Sequence, residues 1–134
     1  MVAVAETEKT EKITINLGLV DLGQVDLLVQ EGFYANRTDF IRTAIRAQLA
    51  THAETVHRTV ARKTLVLGVQ QYARRDLEAV RDAGQRLQIR VLGLASIADD
   101  VSPELALATI EVAEVLGTLR ASAAVKAALA GRIV

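Results

Sequence analysis

The chain has no cysteine and no tryptophan, one proline, and only two phenylalanines and two tyrosines in 134 residues. Without thiols, disulfides and thiolate metal sites are excluded. With so few rings, a core must be built from Val, Leu, Ile and Ala, and a small domain with so thin a core often buries more surface by associating. No apolar run approaches the roughly 18 residues of a membrane span. The opening MVAVAETEKTEK has neither the basic start nor the long apolar core of a signal peptide. Residues 1–11 therefore read as a flexible tail and the protein as cytoplasmic. Net charge is missing too, sixteen Lys and Arg against sixteen Asp and Glu. Phosphate binding is favoured by a basic field, so this balance slightly disfavours a nucleic-acid partner. The cations present are twelve arginines and four lysines, a tilt that suits phosphate contact. Catalytic constellations are lacking as well. There is no Gly-rich phosphate loop, since the glycines from 84 to 93 have the wrong spacing, and no histidine stands beside a plausible nucleophile. The chain does not read as an enzyme, and no cofactor is implied.

What is present begins with KITINL at residues 12–17. Ile13, Ile15 and Leu17 alternate with Lys12, Thr14 and Asn16, the period of a half-buried strand. No second strand follows before about residue 62. A lone strand leaves its backbone donors and acceptors unpaired, so something else must complete it. Next, Leu22, Val25, Leu28 and Val29 fall at helical spacing, with Gly32 placed to end the helix. In FYANRTDFIRTAIRAQL, Asn36 is a good N-cap, and Asp39 suits both the first turn and a capping-box arrangement. Phe40, Ile41, Ala44, Ile45 and Leu49 continue as an apolar stripe, with Arg42 and Arg46 on the solvent side.

This order of strand, helix and capped helix over residues 12–50 resembles the ribbon-helix-helix family of DNA-binding regulators, the MetJ/Arc/CopG group. NRTDFIRTAIRAQL is the most specific part of the resemblance. Members are dimers whose two strands pair antiparallel, which would make a second KITINL the missing partner of the first. The resemblance implies that Ile13, Ile15 and Leu17 pack onto the helices while Lys12, Thr14 and Asn16 enter the major groove of double-stranded DNA and read bases. It also implies that the start of the second helix grips a backbone phosphate, with Asn36, Arg37 and Thr38 as the contacting residues. Residues 1–62 hold seven cations and eight acids, Glu8 and Glu11 among them beside the ribbon, so binding by several dimers together is one expectation.

Residues 51–63, THAETVHRTVARK, read as a helical linker continuing the second helix. The nickel-responsive branch of the family uses C-terminal histidines, but His52 and His57 are five residues apart. On a helix that spacing sets them about 140° apart, so they do not converge on one ion. No metal site is expected.

A repeat occupies residues 64–134. Val66-Leu67-Gly68, Val91-Leu92-Gly93 and Val115-Leu116-Gly117 recur at intervals of 25 and 24. Each opens in a β-type run (TLVLGV, LQIRVLGLASI, IEVAEVLGTLRA) and passes into a helix-compatible segment (YARRDLEAVRDAG, SPELALAT, SAAVKAALAG). Ser102 followed by Pro103 is a helix start, and Gly84 suits a helix end. A glycine inside each strand points to a bulge or a close backbone approach. Three units stacked without a polar cap are expected to end on open strand edges that invite other subunits. Asp99 and Asp100 read as loop residues ahead of the Ser102 cap.

The expected protein is α+β: a ribbon-helix-helix module over 12–50, a linker over 51–63 and a repeat-built, strand-containing oligomerisation domain over 64–134. The expected function is sequence-specific transcriptional regulation, most simply repression by operator occupancy, by a homodimer that can assemble further. Two alternatives remain: a polymer-forming structural protein using the first module as dimer clasp or DNA anchor, and the antitoxin of a toxin–antitoxin pair. For the repeat region, a small-molecule sensor and a toxin-binding surface stay open beside self-assembly.

Overall fold

The structure, a computed structural model, describes residues 10–134. The tail read over residues 1–11, with its Glu8, thus lies outside the described residues except for Thr10 and Glu11. The chain forms two compact units, residues 12–59 and residues 60–134, and Thr10 and Glu11 belong to the second. Its class is α+β, helices with one three-stranded sheet.

In the first unit, residues 12–17, expected as a strand, have no strand partner among the described residues and form no strand in the single chain; they lead into α1 (Leu19–Gln30). α1 starts three residues before the Leu22 periodicity, because Gly18 offers no side-chain cap to mark its beginning and only the Gly18 carbonyl receives the Leu22 amide. It ends where the sequence predicts. Gly32 takes φ +86°, its amide donates to the Val29 carbonyl, and the Phe33 amide donates to the Leu28 carbonyl. This is the Schellman arrangement, which satisfies two otherwise orphaned carbonyls. α2 (Arg37–Thr51) follows, and a short break at His52 separates it from α3 (Ala53–Lys63), so the linker is helical but not one continuous rod.

The second unit alternates strand and helix: β1 (Val66–Tyr72), α4 (Arg74–Asp82), β2 (Leu87–Ile97), α5 (Pro103–Thr109), β3 (Ile110–Arg120) and α6 (Ala123–Ala128). The strands are parallel in the order β1-β2-β3, and the repeat sets their register. Leu67 pairs with Leu92 and Leu92 with Leu116; Gly68 pairs with Gly93 and Gly93 with Gly117. Ser102 and Ser122 cap α5 and α6 by accepting the Leu105 and Val125 amides at 3.1 Å each. Alternate residues of β2, namely Ile89, Val91, Ala95 and Ile97, point into one core with Leu77 of α4, Leu105 and Ala106 of α5, and Val125 and Leu129. Each large aliphatic side chain in that core contributes about 1.5–3 kcal/mol by leaving water.

The glycine column explains itself in backbone terms. Gly68, Gly93 and Gly117 all have positive φ, at 126°, 138° and 120°. A Cβ on Gly93 would collide with the Gly68 carbonyl, and one on Gly117 with the Gly93 carbonyl. Only glycine combines that conformation with that approach.

The edges are less open than the repeat alone implies. Residues 132–134 fold back on β3, where the Ala113 amide donates to the Arg132 carbonyl and the Val134 amide to the Ala113 carbonyl, both at 3.0 Å. The Arg132 guanidinium staples this return by donating to the Leu107 and Ile110 carbonyls. Among the described residues the outer edge of β1 has no strand partner.

Candidate nucleic-acid interface

The expected site residues lie in two places in the first unit. Along residues 12–17 every side chain is exposed, but unevenly: Ile13 is 74% accessible, Ile15 57% and Leu17 40%. The fall follows the approach to the helices. Ile15 and Leu17 line an apolar groove of about 440 Å³ with Val25, Leu28, Phe40 and Ile41. Lys12, Thr14 and Asn16 do not line it. Ile15 and Leu17 thus meet the groove, whereas Ile13, like the three polar positions, stands off it.

Among the described residues nothing closes this groove. α2 buries no residue, and Val25 alone is buried in the unit. Leu19, Leu27, Ile45 and Leu49 are each about half exposed or more. Such a concentration of unburied aliphatic surface marks an association face.

The second place is the start of α2. The Asn36 Oδ1 accepts the Asp39 amide at 2.8 Å, and the Asp39 carboxylate accepts the Ala35 amide at 2.9 Å, a reciprocal cap. Tyr34 stacks edge-on against Phe40 with centroids 5.0 Å apart and steadies the entry to the helix. Among the described residues, the Arg37 and Thr38 amides have no acceptor. They remain directed outward at the positive end of the helix, the arrangement that suits an anion.

Arg37 itself is placed differently from a free phosphate-seeking cation. Its guanidinium forks onto Asp26 of α1, Nε to Oδ1 at 2.7 Å and Nη2 to Oδ2 at 2.8 Å. That bidentate hydrogen bond holds the Asp26 carboxyl below the usual carboxylate range and raises Arg37 above its ordinary value. Periodicity could not find this pair, since the partners lie eleven residues apart on different helices. The His52 ring sits 3.3 Å from the Gln48 amide. Asp100 lies 3.8 Å from Arg74, as befits a loop residue. Among the described residues no three His, Cys, Asp or Glu side chains gather as a metal site, and no helix is long and apolar enough to cross a membrane.

The profile of the Ribbon-Helix-Helix transcriptional regulator family matches residues 8–126. The match covers most of the chain and extends far past residue 50, through the whole three-stranded sheet. No curated protein and no solved structure matches the chain.

Proposed function

The chain belongs to the ribbon-helix-helix transcriptional regulator family, and from that membership we propose that it is a sequence-specific, dimeric DNA-binding repressor. The observation that carries the proposal is the exposed segment 12–17, with Ile15 and Leu17 on an apolar groove that no other described residue covers. A second copy supplies both missing parts. Its own residues 12–17 complete an antiparallel two-stranded ribbon, and its helices cover the exposed aliphatic stripe of α2. Lys12, Thr14 and Asn16 then stand together on the outer face of a ribbon of the size that enters a major groove. Asn bonds adenine in two places, Thr meets a base edge or a thymine methyl, and Lys reaches guanine or phosphate.

The backbone contact falls to the start of α2. The free amides of Arg37 and Thr38 hold one phosphate oxygen, the Thr38 hydroxyl and the Asn36 side-chain amide add donors, and Arg37 lends charge from its place on Asp26. Repression follows by occupancy: a protein seated in the groove of an operator excludes polymerase.

The open β1 edge and the exposed Leu67 and Leu116 of the sheet support further assembly of dimers through the second unit. A selection of DNA sequences by the purified protein, run beside a mass measurement in solution, tests both statements. Enrichment of a palindromic site by a species of two or more chains is the expected result. A monomer, or a dimer that enriches no sequence, defeats the reading.

A further inference from the structure

Beyond the DNA-facing residues, the C-terminal ends of the three strands carry a second polar constellation. Down the outer face of the sheet the row Leu67-Leu92-Leu116 is apolar, and the next, Val69-Leu94-Thr118, is apolar but for Thr118. At the next row the chemistry changes to Gln71-Ser96-Arg120, one amide, one hydroxyl and one guanidinium in register across the strands. This row opens onto a cleft of about 320 Å³, which Asp99 and Lys126 also line, with Leu94 on its apolar wall. The cleft lies at the carboxyl ends of the strands, and its volume is at the small end of ligand pockets. Two cations, one carboxylate and two neutral hydrogen-bonding groups thus converge on a small partly apolar space. Among the described residues neither Lys126 nor Asp99 has an ion-pair partner.

The chain itself shows what Arg120 accepts. The Glu11 carboxylate receives a hydrogen bond from the Thr118 hydroxyl at 3.0 Å and lies 3.8 Å from the Arg120 guanidinium, which also donates to the Thr10 carbonyl at 3.0 Å. A carboxylate therefore already sits on one side of Arg120, while the cleft opens on the other.

We infer that this cleft binds a small free amino acid. Its carboxylate pairs with Arg120 and Lys126, its ammonium group with Asp99, and a short aliphatic side chain lies against Leu94, with Gln71 and Ser96 completing the polar contacts. A charge-assisted pair at each end of the ligand fixes its orientation. Because Glu11 immediately precedes Lys12, a ligand that draws Arg120 away from Glu11 also loosens the residue next to the proposed base-reading segment. That last consequence rests on the DNA-binding reading; the binding site does not.

The test is calorimetric titration of the full chain, without DNA, using the proteinogenic L-amino acids, the deaminated acid and decarboxylated amine of each, and inorganic phosphate. At least one amino acid should bind, more tightly than either of its truncated forms. Arg120→Gln and Lys126→Gln should each weaken it by roughly tenfold or more, the range of one charge-assisted hydrogen bond. Glu11→Gln, which removes the competing carboxylate, should tighten it by roughly two- to fivefold, the scale of one exposed ion pair. The inference is overturned if no amino acid binds, if the deaminated acid or phosphate binds equally well, or if affinity is unchanged in Lys126→Gln, whose exposed side chain makes the variant safe for folding.

Discussion

The two units of this chain spend their apolar residues in opposite ways. Residues 60–134 close a core of their own: Leu77, Ile89, Val91, Ile110, Val125 and Leu129 are all fully or almost fully removed from water. Residues 12–59 have the clearest local signals in the chain, a reciprocal cap at Asn36 and Asp39 and a Schellman end at Gly32, yet they bury Val25 alone. Well-formed secondary structure and a closed core are therefore separate properties. A helix takes its ends from neighbours in sequence, whereas its apolar face must find a partner wherever one exists. For α2 no such partner exists among the described residues.

The sharpest way to break the comparison is inside the glycine column. Gly93→Val meets both the Gly68 carbonyl and an unfavourable φ, so it should cost about 2–6 kcal/mol, the sum of overpacking and backbone strain. Gly68→Ala shares the positive φ but meets no atom within 4 Å, so about 1–3 kcal/mol of strain is all it should lose. Denaturant unfolding of the two variants separates contact from conformation. Equal losses would remove the close approach from the account.

Next in size is the response to concentration. If the first unit completes its core with a second copy, the melting temperature of residues 12–59 alone should rise with protein concentration, while that of residues 60–134 should move far less. Ile15→Lys should abolish the first transition in the full chain, because the charge would be trapped without a partner between the ribbon and α1 and α2. Calorimetry over a range of concentrations checks both, and a concentration-independent first unit would return the exposed stripe to solvent.

A change confined to the outward side should leave stability alone. Lys12, Thr14 and Asn16, all replaced by Ala, should erase sequence preference in a DNA selection while the dimer remains intact by sedimentation. Loss of the dimer in this variant would mean that the inward and outward assignments are mixed.

Smallest is the Asp26–Arg37 fork, since both side chains are about half exposed and solvent screens them. The folded carboxyl of Asp26 is held below its unfolded value, so its contribution is present above the unfolded pKa, about 3.9, and is lost as pH falls through the lower folded value. Asp26→Asn should therefore lower stability slightly at neutral pH, match the parent chain below the folded pKa, and flatten that part of the acid unfolding limb. In DNA binding the same variant frees Arg37, whereas Arg37→Ala should lower affinity for all sequences alike and reduce the salt slope by about one. A steeper salt slope in Asp26→Asn would indicate that the fork restrains Arg37 from phosphate.

Much of the architecture was legible because it depends on short-range rules. The caps at Asn36, Ser102 and Gly32 are decided by backbone groups within a few residues, and the three strands follow from β-type runs at fixed spacing. The interval of the Val-Leu-Gly repeat also set which residues pair, since stacked equivalent units place equivalent residues side by side. Other features left no trace in spacing. The start of α1 slid to Leu19 because no capping side chain marks it. Arg37 was drawn to Asp26, Arg120 to Thr10 and Glu11, and the 132–134 return to Ala113.

The sequence by itself thus determined most of the elements, the capped ends at Asn36, Gly32 and Ser102, and the register of the sheet, all of which rest on local geometry or on repetition. Only the tertiary structure decided which cations are already engaged, which strand edge is covered, and that of a bulge or a close approach the glycines serve the close approach. A side chain's partner is whatever folding brings within about 3 Å of it, and that distance is independent of separation along the chain.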